Sequence, residues 1–113
     1  MSEIVHTETL TAENTKTQWF KNPAFWNGPE HYATAGLVPT GNGFNAGTVQ
    51  LQAAIVNPDT DPNDTAPDAA AIQDVTDLVW DVDAASPRNV ATVLPWLRFV
   101  ASAAAPEIEI WVY

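Results

Sequence analysis

Glu107-Ile108-Glu109-Ile110-Trp111-Val112-Tyr113 alternates without a break. Ile108, Ile110 and Val112 fall on one side of an extended chain, and Glu107, Glu109, Trp111 and Tyr113 fall on the other. A period of two with one apolar face is the pattern of a β-strand that buries one side. A few residues upstream, Trp96-Leu97-Arg98-Phe99-Val100 repeats the pattern, with Leu97 and Phe99 opposite Trp96 and Arg98. Both runs read as β-strands, the second reaching the last residue, as in a compact all-β module that closes its sheet with its own terminus.

Working outward, Gly47 to Val56 reads as an interior strand launched by the Gly41-Asn42-Gly43 turn, with Val49, Leu51, Ala53 and Ile55 facing the core. Val75 to Val82 returns to β, with Leu78, Trp80 and Val82 on one face. Thr15 to Phe20 and the weaker His31 to Val38 add strands, and residues 2–11 fit a first strand or an extended arm. Asn22 to Pro29 reads as an ordered loop around Phe25 and Trp26, and Ser86-Pro87-Arg88-Asn89 as a turn before Val90 to Leu94. The one plausible helical start is Ala69 to Leu78 behind Asp68, and its β-branched residues argue against a long helix. Seven to eight short strands joined by Gly, Pro and Asn turns predict an all-β fold. It is read as an antiparallel β-sandwich, jelly-roll-like or another Greek key. Residues 1–113 form one domain on this reading, with 1–14 as an N-terminal arm and 57–71 as an acidic, Pro-rich loop that no interior strand accommodates.

With 14 acidic and 4 basic residues the net charge is -10. Such a surface repels nucleic acid and anionic lipid, so neither is an expected partner. Cysteine is absent, which excludes disulfides and thiolate metal sites and fits folding in a reducing cytoplasm. The start, Met1-Ser2-Glu3-Ile4, lacks signal-peptide character, and no apolar run is long enough to span a bilayer.

Candidate chemistry is sparse. Asp59-x-Asp61-x-Asn63 has the alternate oxygen spacing of a calcium loop, but Asp64 stands where the helix-flanked version needs Gly, and Ala70 where it needs Glu. A looser calcium site on Asp59, Asp61 and Asp64, with Asp68, stands beside the plain reading of a solvated loop. His6 and His31 have no zinc spacing. Ser86 and Ser102 lack a nucleophile elbow. Glu107 and Glu109, roughly 7 Å apart along a strand, match a glycosidase carboxylate separation but read more simply as a solvated face. Gly41-x-Gly43 precedes a strand, so it is a turn and not a phosphate loop. No catalytic residues are assigned and the chain is not read as an enzyme. Trp19, Phe20, Phe25, Trp26 and Tyr32 cluster within a short stretch, an arrangement suited to interfaces or sugar platforms. Trp96, Arg98, Trp111 and Tyr113 lie opposite their strands' aliphatic residues. A second layer or a neighbouring subunit is expected to cover them.

Gly43-Phe44-Asn45-Ala46-Gly47-Thr48-Val49-Gln50-Leu51-Gln52 resembles the G-x-F-x-G-G-T-V-x-L-Q strand of small tailed-phage virion proteins. Trp80-Asp81-Val82 and Leu97-Arg98-Phe99-Val100-Ala101-Ser102 are similar to their later segments. The likeness covers roughly residues 41–113, with Ala46 replacing the first Gly of the pair and a longer acidic loop. It implies a β-sandwich virion component with a capsid-decoration or tail-associated role and no catalytic residues. The expectation is an accessory (cement) protein on the outer capsid surface, made in the host cytoplasm. Its partners would be the major capsid protein and further copies of itself, as a trimer or dimer. Expected contact residues are Trp19, Phe25, Trp26, Trp96, Arg98, Trp111 and Tyr113. Alternatives are a tail-tip or fibre-associated carbohydrate or receptor-binding module, using the Trp26/Tyr32 loop, and a head-tail connector or tail-completion protein.

Overall fold

A computed structural model describes residues 6–26, 33–41, 43–55, 72–81, 87–90, 94–102 and 105–113. Among the described residues, eight strands run β1 (His6–Leu10), β2 (Phe20–Lys21), β3 (Ala33–Pro39), β4 (Val49–Ala54), β5 (Ile72–Trp80), β6 (Arg88–Val90), β7 (Trp96–Ala101) and β8 (Ile108–Val112), with one short helix, α1 (Pro23–Trp26). They form two antiparallel four-stranded sheets packed together, ordered β1-β8-β3-β6 and β2-β7-β4-β5. Partners are nested: β1 with β8, β2 with β7, β3 with β6, β4 with β5. One long hairpin, rolled until β8 also meets β3 and β7 also meets β4, produces this order. It is the eight-stranded jelly roll, an all-β sandwich as the turn-punctuated strand pattern predicts.

The core is built by alternation. Ala33, Ala35 and Leu37 of β3 and Ile108, Ile110 and Val112 of β8 face Val49, Leu51 and Ala53 of β4 and Leu97 and Phe99 of β7 in one buried cluster. An aromatic row crosses it beneath the second sheet. His6 stacks on Phe20 at 4.4 Å, Phe20 lies 6.1 Å from Phe99, and Phe99 lies 5.6 Å from Trp80 at a tilt. Offset and tilted rings satisfy their quadrupoles better than a face-to-face column.

A sandwich is open along its two lateral seams, and here each seam has its own polar clasp. Between β1 and the β1–β2 connection, Glu8 accepts hydrogen bonds from His6 Nε2 at 3.0 Å, Asn14 Nδ2 at 2.9 Å and the Gln18 backbone N–H at 3.1 Å. Burial raises the Glu8 pKa, but these donors outweigh it and hold the carboxyl below its ordinary value. Between β6 and β5, Arg88 donates from Nη1 to the carbonyls of Asp77 at 2.9 Å and Val79 at 2.8 Å, with its guanidinium 5.2 Å from the Trp80 ring centre.

Several expected elements change. Asn22 to Pro29 contains the one-turn α1, started by Asn22, whose Oδ1 accepts from Ala24 N at 3.0 Å. Ile55 is 61% exposed instead of facing the core, because the ladder ends at Ala54 opposite Trp96 and Ile72. Arg88 and Asn89 are strand, not turn, because Ala35 and Thr34 pair with them. Of the candidate helical stretch, Ile72 to Leu78 is strand, the first part of β5, while residues 68–71 lie outside the described residues. In β5 five residue steps, Asp74 to Val79, lie opposite two in β4, Gln52 to Gln50. Three residues therefore bulge, with Asp77 at φ 68°. Gln50 Nε2 fills the gap by donating to the carbonyl of Val75 at 3.0 Å.

Candidate binding site

The two outer sheet faces treat their aromatics in opposite ways. On the β2-β7-β4-β5 face, Trp96 and Arg98 point away from the core as alternation requires, yet both are buried. Trp19, just before β2, packs with Trp96, Ala54 and Ile72. Arg98 lies 4.6 Å over the Trp19 ring and donates from Nε to Gln52 Oε1 at 2.8 Å; Gln52 Nε2 in turn donates to Asp74 at 2.9 Å. A guanidinium stacked on indole is held by the ring's negative face. The Trp19 Nε1 group is buried without a hydrogen-bond partner. Thus Trp19, Trp96 and Arg98 are absorbed into the chain's own second layer rather than presented to a partner.

On the β1-β8-β3-β6 face the aromatics stay open. Trp111 is half-buried and Tyr113 exposed. Trp111 stands between Thr7 of β1 and Gly36 of β3, and Glu109 between Thr9 and Val38. Tyr113 is tied to Thr34 by reciprocal backbone bonds of 3.0 and 3.2 Å. Because Gly36 has no side chain, a trough of about 390 Å³ opens beside the indole, lined by Thr34, Gly36, Val38, Pro87, Glu109, Trp111 and Tyr113. Among the described residues, a Cβ built on Gly36 would meet only Pro87 Cγ, at 3.9 Å. Among the described residues no cation lines the trough. The alternation of residues 107–113 places Glu109, Trp111 and Tyr113 on this face from sequence alone. Gly36, Val38, Thr34 and Pro87 reach it from β3 and the residue before β6, which only the strand pairing brings beside β8. An isolated Gly within a strand is the signal that marks such a gap.

A larger cleft, about 610 Å³, runs along residues 13–18 with Glu8 and Arg98. Its Glu8, Asn14 and Gln18 groups bond to one another and Arg98 bonds to Gln52, so it is a structural seam.

The remaining sequence candidates are placed as follows. Phe25 on α1 is 47% exposed. Trp26 closes α1, and its side chain, like His31, Tyr32, Ser86 and the calcium candidates Asp59, Asp61 and Asp64, lies outside the described residues. Among the described residues no three His, Asp or Glu side chains group to hold a metal. Ser102 Oγ accepts from Thr48 N at 2.8 Å. Glu107 precedes β8 and packs its carboxyl where a Gly41 Cβ would stand, while its carbonyl accepts from Thr40 N at 2.7 Å. It therefore latches the Gly41–Gly43 turn, apart from Glu109 on the open face. Comparison with known protein families, curated proteins and solved structures found no match.

Proposed function

We propose that this protein is an accessory structural component of a tailed-phage virion, a cement protein that docks as a small oligomer on the outside of the head. The jelly-roll order of the two sheets is the observation that supports this reading most. That order recurs in viral capsid proteins, although the fold by itself hosts other functions. The phage-like strand motif of residues 43–52 builds its β3–β4 turn and the central strand β4. Cementing needs surface that a shell can bury. Phe25 and Ile55 supply it at one end of the second sheet, where Lys21, Trp96 and Ala54 align across β2, β7 and β4. Burying such side chains across a junction between capsid subunits stabilises the shell by roughly 1.5–3 kcal/mol for each one fully covered.

Cryo-electron microscopy of particles assembled with and without the protein tests the proposal. Added density in many copies on the outer head, at capsid symmetry axes, is expected. A few copies at the tail, or none on the particle, would refute it. In parallel, Phe25→Asp and Ile55→Asp are expected to weaken binding to shells that lack the protein while leaving the fold intact.

A further inference from the structure

We infer that the trough beside Trp111 is a binding site for a neutral saccharide. Three properties converge there. First, a half-open indole lies on a firm sheet, and the bare Gly36 position lets a flat ring approach it. The C–H groups on one face of a pyranose carry partial positive charge and meet the negative face of an indole favourably. Second, among the described residues most polar side-chain groups around the ring are unengaged. Glu109, Trp111 Nε1 and the Tyr113 hydroxyl make no side-chain hydrogen bond to the described residues, and Thr34 donates one, to Asn89 at 3.1 Å. Elsewhere the contrast is sharp, since Glu8 is held by three donor groups. A carboxylate, two hydroxyls and an indole N–H provide both acceptors and donors for sugar hydroxyls. Third, among the described residues no Lys or Arg lines the trough, and Glu109 together with the chain's net charge of -10 disfavours phosphate, sulfate or carboxylate ligands. About 390 Å³ lies at the lower end of the roughly 300–1,000 Å³ typical of small-ligand sites, matching a short oligosaccharide.

The site lies on the outer face of the first sheet, whereas Phe25 and Ile55 lie at an end of the second. It is therefore independent of where, or whether, the protein docks on a capsid.

The full-length protein is titrated with short neutral oligosaccharides of glucose, galactose, mannose and N-acetylglucosamine, and with sialylated and sulfated counterparts. Binding is followed by calorimetry and by the five indole N–H resonances. At least one neutral probe is expected to bind and to shift the Trp111 resonance, with the charged counterparts weaker. Trp111→Ala is expected to weaken binding at least about tenfold. Gly36→Val is expected to do the same with an unchanged melting temperature, because a β-branched residue suits a strand and its methyl groups occupy the trough. Glu109→Gln is expected to narrow the gap between neutral and sialylated probes. The inference is overturned if no probe binds up to its solubility limit, or if binding survives both Trp111→Ala and Gly36→Val. A dimer seen by sedimentation and abolished by Trp111→Ala, with no sugar bound, would also overturn it by assigning the face to a second copy.

Discussion

Glu8 shows how one side chain couples charge to stability. Its carboxyl is partly buried at the seam beside β1, and its His6, Asn14 and Gln18 donors prefer the ionised form. The folded-state pKa lies below the ordinary value of 4.5, so the contribution is complete above that value and disappears as pH falls through the folded one. Chemical denaturation across acid pH is expected to show the native protein losing stability relative to Glu8→Gln as pH drops below about 4.5, with the difference levelling off in stronger acid. Parallel pH profiles would show that Glu8 is not ionised by design of its surroundings. Asp77 poses a backbone question instead. Its φ of 68° lies in the left-handed region, which costs an L-residue about 1–2 kcal/mol and is most tolerable for Gly, Asn and Asp. Asp77→Val is expected to destabilise by about that amount, and Asp77→Gly to stay within about 1 kcal/mol of the native protein because relief of strain offsets lost chain stiffness. Urea midpoints rank the two. Neither residue's role was legible in the sequence. Glu8 reads as a polar strand residue and Asp77 as an ordinary acidic one, since their partners lie in other segments.

Between elements, Arg88 carries the most. It leaves the edge strand β6, crosses the seam, and bonds two carbonyls that the β5 bulge has turned outward. Bonds from a charged donor contribute about 1.5–3 kcal/mol, and the Trp80 ring adds cation–π attraction. Arg88→Ala is expected to lower unfolding free energy by about 2–3 kcal/mol with an unchanged denaturant slope. Arg88→Lys should recover only part of it, because an ammonium cannot spread over two carbonyls and a ring as a planar guanidinium does. Full recovery by Lys would reduce the clasp to a simple point charge. The strands themselves differ in legibility. β4, β7 and β8 announce themselves through large alternating side chains. β3 is as central, between β8 and β6, yet its inward residues include Ala33 and Ala35, whose small side chains weaken the periodic contrast. β6 is three residues long, too short for any pattern to emerge.

For the whole molecule, net charge and topology set the behaviour. A charge of -10 on a chain this small repels itself. Added salt shortens the Debye length to ~3 Å at 1 M, and is expected to raise thermal stability by about 1 kcal/mol, or roughly 4 °C. Scanning calorimetry over a salt series checks this; a falling melting temperature would mean that attractive pairs dominate the field. The Arg88 and Glu8 clasps, being partly buried, should respond little to salt.

The amino-acid sequence by itself determined that the chain is all-β, which faces of β4, β7 and β8 are buried, and that Glu109, Trp111 and Tyr113 share an outer face. Alternation is a local property, readable wherever large apolar and polar residues take turns along an extended backbone. Tertiary structure alone decided the nested order of the sheets. It also decided that Trp96 and Arg98 are covered by Trp19 within the same chain, and that Gly36 opens a gap beside Trp111. These outcomes depend on which distant segments pair and in what register, and a strand's own side chains specify a buried face without specifying the neighbour that lies beside it.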